Sequence, residues 1–179
     1  INASYVWSHY YGNFDQDNTT ATTDANTFIG SSNYGDGRGR YPWDYKYGTL
    51  SGDKPHKVKV YGYYTVPWDA NIGAYFVFQS GKPWEAWDGS IYGYSSGTTR
   101  YSEPAGSRRS PSHWQLDLNY TQDFRFSGDM ELQFRADIFN VFDRQTGYNN
   151  NPYVSSETFG EYRNYYSPRR VQLSFNFKF

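Results

Sequence analysis

The chain has 179 residues, a formal net charge of −1 and a mean hydropathy of −0.90, and 22% of its residues are aromatic. The balanced charge gives no basic surface and so excludes nucleic acid as an expected partner, and the lack of cysteine excludes disulfides and thiolate metal sites. No stretch approaches the roughly 18 consecutive apolar residues of a membrane-spanning helix.

Strands are the predicted elements, because aromatic side chains pack well on a pleated sheet and helix-forming residues are scarce. A strand that crosses a membrane needs only about 9–11 residues, of which every second one contacts lipid, so low hydropathy is compatible with a membrane barrel. The predicted strands lie at about residues 2–11, 55–67, 71–80, 113–126, 129–142 and 169–179, and long loops rich in Gly, Ser, Asn, Asp and Tyr at about 12–53, 81–112 and 143–168.

Each predicted strand shows a period of two. In the first, Ala3, Tyr5 and Trp7 share one face, and in the second, Val58 alternates with Lys57. The fourth and fifth flank a tight turn at residues 127–129, which indicates a hairpin. The last alternates without a break, with Val171, Leu173, Phe175, Phe177 and Phe179 on one face and Gln172, Ser174, Asn176 and Lys178 on the other.

The connections between the predicted strands are unequal in length. Turns of a few residues on one side and long loops on the other are typical of outer-membrane barrels, whereas a soluble β-sandwich explains only the alternation. Aromatic residues cluster at the strand ends, as at the interfaces of a membrane. The sequence therefore predicts an all-β, antiparallel transmembrane β-barrel in a Gram-negative outer membrane, with extracellular loops and a periplasmic C-terminus.

Barrel closure adds a further expectation. Lipid cannot satisfy the polar groups of a free strand edge, and known membrane barrels begin at about eight strands. Six strands therefore need partners, and we expect the chain to be the C-terminal part of a longer polypeptide whose other strands precede Ile1.

Four segments resemble the barrel motifs of TonB-dependent receptors and occur in that family's order. They are Gly52-Asp53-Lys54-Pro55-His56, Ser80-Gly81-Lys82-Pro83-Trp84, Ala136-Asp137-Ile138-Phe139-Asn140-Val141-Phe142-Asp143-Arg144-Gln145, and the C-terminal run from Pro168-Arg169-Arg170 through Phe179. The likeness is greatest to the Oar-like subgroup. It implies the last six or so strands of a barrel of about 22 strands, uptake of an extracellular peptide, glycan or chelate, and energy from the TonB complex. The plug domain of such receptors is not in this chain.

Aromatic residues in the predicted loops are the candidate ligand-binding residues, because their large amphipathic rings stack on sugars, peptides or protein surfaces. The alternative is that these loops pack on one another above the barrel. The candidates are Trp43, Tyr45, Tyr47, Trp84, Trp87, Tyr92, Tyr94, Tyr148 and Tyr153.

A second set of residues lies on the polar face of the predicted strands, where mixed charges suit a lumen wall against a polar plug. The lumen-lining candidates are Lys57, Lys59, Asp117, Asp123, Arg125, Glu131, Arg135 and Asp137. Phe175, Phe177 and Phe179 form the expected recognition signal for the barrel-assembly machinery.

No catalytic residue, cofactor or metal site is predicted, because the three histidines are scattered and no catalytic motif is present. The expected partners are outer-membrane lipid, lipopolysaccharide, the TonB complex and the assembly machinery. The resemblance favours a TonB-dependent transporter. A passive porin and a surface-binding or adhesive barrel protein are the alternatives.

Overall fold

The computed structural model describes residues 1–12, 45, 47–88, 102–126 and 130–179. Within these ranges the regular elements are strands. In chain order they are β1 (Asn2–Trp7), β2 (Tyr11–Gly12), β3 (Gly48–Thr49), β4 (His56–Val66), β5 (Ala70–Gln79), β6 (Pro83–Trp84), β7 (Arg108–Arg109), β8 (His113–Arg125), β9 (Glu131–Phe139), β10 (Gly147–Asn150), β11 (Tyr162–Tyr165) and β12 (Arg170–Lys178).

The six longest strands form one sheet in the order β1-β4-β5-β8-β9-β12, and every neighbouring pair is antiparallel. Their order in the sheet is their order along the chain, as in an up-and-down barrel. The outer strands of this sheet are β1 and β12, and the sheet is open between them. The all-β, antiparallel architecture predicted from the alternation is confirmed.

The first strand is shorter than predicted. It ends at Trp7, which lies opposite His56, the first residue of β4. The residue before His56 is Pro55, which has no N–H to donate to β1. Its carbonyl oxygen accepts a hydrogen bond from the backbone N–H of Ser8. The chain therefore leaves the sheet, and Tyr11 pairs with Thr49 in a separate short ribbon.

The register sorts the side chains of the sheet into two faces. Residues directly opposite one another share a face, and the series Val58, Phe78 and Trp114 lies on the same side as the series Ile138 and Val171. This apolar face is open at the terminal strand, where Leu173 is 59% and Phe175 68% exposed. In a soluble sandwich these side chains would be buried against a second sheet. Their exposure suits contact with lipid.

The predicted long loops contain structure of their own. Short ribbons form between β2 and β3, between β6 and β7, and between β10 and β11. Trp87 bridges to Tyr153 and joins the second and third loop segments. Four of the six buried hydrophobic residues in the described ranges belong to these connections, namely Leu50, Ala86, Trp87 and Ala105. The packed interior thus lies among the loops rather than under the sheet.

One glycine permits this close packing. A Cβ on Gly81 would lie 1.6 Å from the carbonyl oxygen of Ser110, so no larger residue fits without a shift of the backbone. This contact brings the chain leaving β5 against the chain approaching β8. Among the described residues no helix is long and apolar enough to cross a membrane, a finding that concerns helices only.

Candidate ligand-binding site

A cavity of about 350 Å³ lies where the loop segments meet the sheet. Its walls come from residues 51–54, 80–87, 110–113, 148–153 and 163–166. His113, the first residue of β8, also lines it. His113 lies opposite Gln79, which lies opposite Lys57 in turn, so His113 belongs to the polar face. The cavity therefore lies at the loop end of the polar face.

Aromatic side chains form one part of the cavity wall. The indole of Trp84 contacts the guanidinium of Arg108, 5.1 Å from the ring centroid, and the ring of Phe159, with the two ring centroids 6.0 Å apart. Arg108 also lies 5.3 Å from the centroid of Phe159, so the three groups contact one another. Trp87 is only 7% exposed and contacts the ring of Tyr153 edge to face at 5.7 Å. These packed contacts hold the rings in place, which reduces the entropy lost on binding a ligand.

Positive charge forms another part of the wall. Lys54, Lys82 and Arg163 line the cavity. Lys54 Nζ donates a hydrogen bond to Gln79 Oε1 at 2.9 Å. Burial, together with the charges of Lys57 and Lys82, lowers the pKa of Lys54. The cavity thus brings three cationic side chains together in a partly buried site.

The rings of His113 and Tyr166 form a further part of the cavity wall. Their rings stack in parallel with centroids 3.6 Å apart, and the Tyr166 hydroxyl accepts a hydrogen bond from Gln79. Burial and the neighbouring Tyr148 raise the pKa of Tyr166, so this hydroxyl stays protonated at neutral pH. His113 Nδ1 lies 3.0 Å from Thr146 Oγ1.

Two ring nitrogens at the cavity are buried without a hydrogen-bond partner in the described part of the chain. They are Nε1 of Trp84 and Nε2 of His113, and both residues line the cavity. A buried polar atom without a partner costs about 1–3 kcal/mol. A ligand that supplies a hydrogen bond to either atom would recover part of that cost.

Asp53 joins the loop segments that support the cavity. It is 1% exposed, and its carboxylate accepts hydrogen bonds from Tyr10 N at 2.7 Å and Arg109 Nη2 at 2.7 Å, with His9 Nδ1 at 3.3 Å. Arg109 also donates to the carbonyl of Gly81 at 2.8 Å. Burial alone would raise the pKa of Asp53, but the N–H of Tyr10 and the Arg109 guanidinium bring it below its usual value.

Four of the nine aromatic residues predicted to bind ligand meet at this cavity: Trp84, Trp87, Tyr148 and Tyr153. Tyr47 lies elsewhere, at the edge of Tyr11, and Tyr45 is exposed with a φ of 65°. Trp43, Tyr92 and Tyr94 lie outside the described residues. The indole N–H of Trp87 donates to Glu85 at 2.6 Å, so this residue also packs the loops together.

The candidates taken from the sequence did not include several polar residues of the cavity, among them Lys54, Lys82, His113, Arg163 and Tyr166. Lys54 and Lys82 stand inside two of the family-like motifs, so a signal existed for them. Arg163 and Tyr166 gave none, because they reach the cavity through the β10–β11 ribbon, whose pairing is not visible in the local pattern.

The eight lumen-lining candidates share the polar face of the sheet. Arg135 and Asp137 form a bidentate ion pair along β9, with N–O distances of 2.8 and 3.0 Å, and Asn119 donates to the same carboxylate across the strands. Gln133 donates to Asp123 at 2.8 Å. Hydrogen bonds therefore link polar side chains of the neighbouring strands β8 and β9 on the polar face.

The arginines at the strand ends make internal contacts. Arg108 pairs with Glu103 at 2.7 Å, and the Arg169 N–H donates to Asp143 at 2.8 Å. The Arg170 guanidinium lies 5.2 Å from the Phe139 ring. In the described ranges no cluster of three or more His, Asp or Glu side chains is arranged to hold a metal ion.

Comparison with known families gives a match to part of the chain. The family model described as "Outer membrane beta barrel domain" matches residues 92–172, slightly less than half of the chain. No curated protein and no solved structure matches the chain. The matched region covers β8, β9 and the loop segments on either side of them. Together, this similarity and the antiparallel sheet identify the fold as that of an outer-membrane β-barrel, and the open six-stranded sheet is consistent with part of such a barrel.

Proposed function

We propose that the protein is a TonB-dependent outer-membrane receptor that takes up an extracellular ligand, with this chain as part of its barrel. The observation that carries the proposal is the position of the cavity at the loop end of the polar face, beside His113 and Gln79. A ligand held there lies at one end of a hydrogen-bonded polar wall. The resemblance of four segments to receptor motifs supports the same function.

This proposal fixes an orientation and a set of partners. The cavity and its loops face the outside, and the short turn at Pro67, Trp68 and Asp69 faces the periplasm with Phe179. Lipid and lipopolysaccharide surround the apolar face, and the assembly machinery recognises the terminal strand. The TonB complex acts on a plug encoded in another part of the polypeptide. The barrel itself performs no catalysis.

The test needs no knowledge of the ligand. The full-length protein is purified in detergent, added to planar lipid bilayers, and separately incubated with the periplasmic domain of TonB from the same cell. A TonB-dependent receptor binds TonB and gives no steady open channel, because a plug closes the lumen. Steady channels without TonB binding would establish a porin instead. A protein that neither binds TonB nor forms channels would be a surface-binding barrel. Either of these two results would refute the proposal.

A further inference from the structure

The charges at the cavity are unbalanced. Its lining includes three cationic side chains, Lys54, Lys82 and Arg163, but Glu85 is its one acidic residue in the described ranges. The two carboxylate oxygens of Glu85 accept hydrogen bonds from Trp87 Nε1 and from the backbone N–H of Gly106, at 2.6 and 2.9 Å. That carboxylate is thus committed to the loop packing, and the cavity keeps an excess of positive charge.

Among the described residues that line the cavity, Lys82 is the cation whose side chain makes no hydrogen bond or ion pair. Its ammonium group has no hydrogen bond or ion pair to any other described residue, whereas Lys54 is bonded to Gln79 and Arg163 to Asn151. Burial and two neighbouring ammonium groups lower the pKa of Lys54. An anion between Lys54 and Lys82 would relieve this repulsion.

The remaining wall suits a small organic ligand rather than a bare ion. The rings of Trp84, Tyr148 and Tyr153 line the cavity, and aromatic faces pack against sugar rings and apolar side chains. The N–H of Trp84 and Nε2 of His113, which have no hydrogen-bond partner among the described residues, add hydrogen-bonding groups. A volume of about 350 Å³ lies at the lower end of the range for small-molecule sites.

We propose that this cavity binds a compact organic acid, with its carboxylate at Lys82 and Lys54 and its body against Trp84 and Tyr148. The proposal rests on the proposed function for its purpose, since it names the class of ligand that the receptor would capture. Two sources offer the same chemistry, an acidic sugar or the C-terminal carboxylate of a short peptide, and separate probes distinguish them.

The test measures binding to the full-length protein in detergent by isothermal titration calorimetry. The probes are glucuronate, its neutral counterpart glucose, and N-acetyl-dialanine, whose carboxylate is that of a peptide terminus. Glucuronate or N-acetyl-dialanine is expected to bind at least tenfold more tightly than glucose, with an affinity that falls as salt is raised. The variant Lys82→Gln should weaken the binding of the acidic probe about tenfold, since a charge-assisted hydrogen bond is lost.

The matched control is Lys59→Gln, which removes the same charge from the polar face of β4 away from the cavity lining. Native-like migration of each variant in unheated gels shows that it is folded. Equal losses for Lys82→Gln and Lys59→Gln would overturn the proposal, and so would equal binding of glucose and both acids. Since neither channel formation nor TonB binding enters this experiment, its failure would leave the proposed receptor function standing, and the reverse also holds.

Discussion

Removing the charge of Asp53 should loosen the loop segments that support the cavity while leaving the sheet intact. The variant Asp53→Asn keeps the size of the side chain and one acceptor oxygen. It places an N–H₂ group among the donors of Tyr10, His9 and Arg109, which now bond to a carboxylate. One of these contacts is therefore replaced by two donors facing each other.

The size of the effect follows from the burial of the two partners. The Asp53 side chain is fully buried and the Arg109 side chain is 34% exposed, and their N–O distance is 2.7 Å. A hydrogen bond to a charged group contributes about 1.5–3 kcal/mol. Arg109 keeps two carbonyl acceptors, those of Gly81 and Asp53, so its charge is not stranded. We expect a loss of about 2 kcal/mol, which is about thirtyfold in the opening equilibrium.

Native-state hydrogen exchange of the full-length protein measures this opening. Peptides covering residues 8–12 and 47–55 should exchange about thirtyfold faster in Asp53→Asn, because opening of the contacts of Asp53 with Tyr10 and Arg109 exposes these amides. Peptides covering 171–178 should be unchanged, since β12 pairs with β9 and lies at the opposite edge of the sheet from β1. The matched control is Asp69→Asn. Asp69 pairs with Arg125 at 3.5 Å, but their side chains are 61% and 69% exposed, so the expected change is below about 0.5 kcal/mol.

The stabilisation of the loop segments by Asp53 should depend on pH, and its direction follows from the pKa of Asp53. The pKa of Asp53 in the folded protein lies below its ordinary value of 3.8. A depressed carboxyl pKa contributes stability that is complete above the pKa of the unfolded chain and is lost as the pH falls through the folded pKa. The difference in exchange between wild type and Asp53→Asn should be constant above about pH 5 and shrink below about pH 4. Equal exchange rates in Asp53→Asn and Asp69→Asn would show that the Asp53 carboxylate does not stabilise the loop segments. A difference between wild type and Asp53→Asn that grows in acid would show the same.

Three further substitutions test other parts of the fold. Phe179→Ser should reduce the amount of folded protein in the outer membrane, measured by heat-modifiable migration, whereas Asn176→Ser on the polar face should not. Gly81→Ala should destabilise the loop segments by about 3 kcal/mol in hydrogen exchange, because the added Cβ meets a carbonyl oxygen at 1.6 Å, whereas Gly73→Ala has only an ordinary 3.5 Å contact. Asn140→Ala should lower the free energy of unfolding by about 1 kcal/mol more than Asn140→Gly, because Asn140 has a φ of 54°, which glycine tolerates.

The six long strands were predictable because a local rule governs them. A strand between lipid and a polar interior must place apolar and polar residues alternately, so the period of two is written in each segment without reference to its partners. The register then follows from keeping Val58, Phe78 and Trp114 on one face. The largest difference is the end of β1, which depends on where β4 begins. The strand predicted at about 129–142 also ends earlier, at Phe139.

The cavity was only partly predictable because its residues meet through non-local contacts. Trp87 and Tyr153 are both aromatic and both in loops, and this made them candidates. Their contact depends on a bridge between two loop segments that no periodic pattern announces. Lys82 was not a candidate for the same reason, since a lysine in a loop is ordinarily solvated, and its proposed role follows only from its place in the cavity with Lys54 and Trp84.

The segments that resemble receptor motifs anchor the loops to the strand ends. Asp53 in the first motif is bonded to Arg109, which also bonds to Gly81 in the second. Asn140 in the third donates to the carbonyl of Ser167, and Asp143 accepts a hydrogen bond from the backbone N–H of Arg169 in the fourth. Each motif therefore has a structural reason that needs no ligand, and a barrel with another function would require the same anchors. The contacts that the motifs make thus account for the fold, and the motifs support the proposed receptor function only through the family resemblance. The proposal of ligand capture rests instead on the cationic, aromatic cavity that these anchors hold in place.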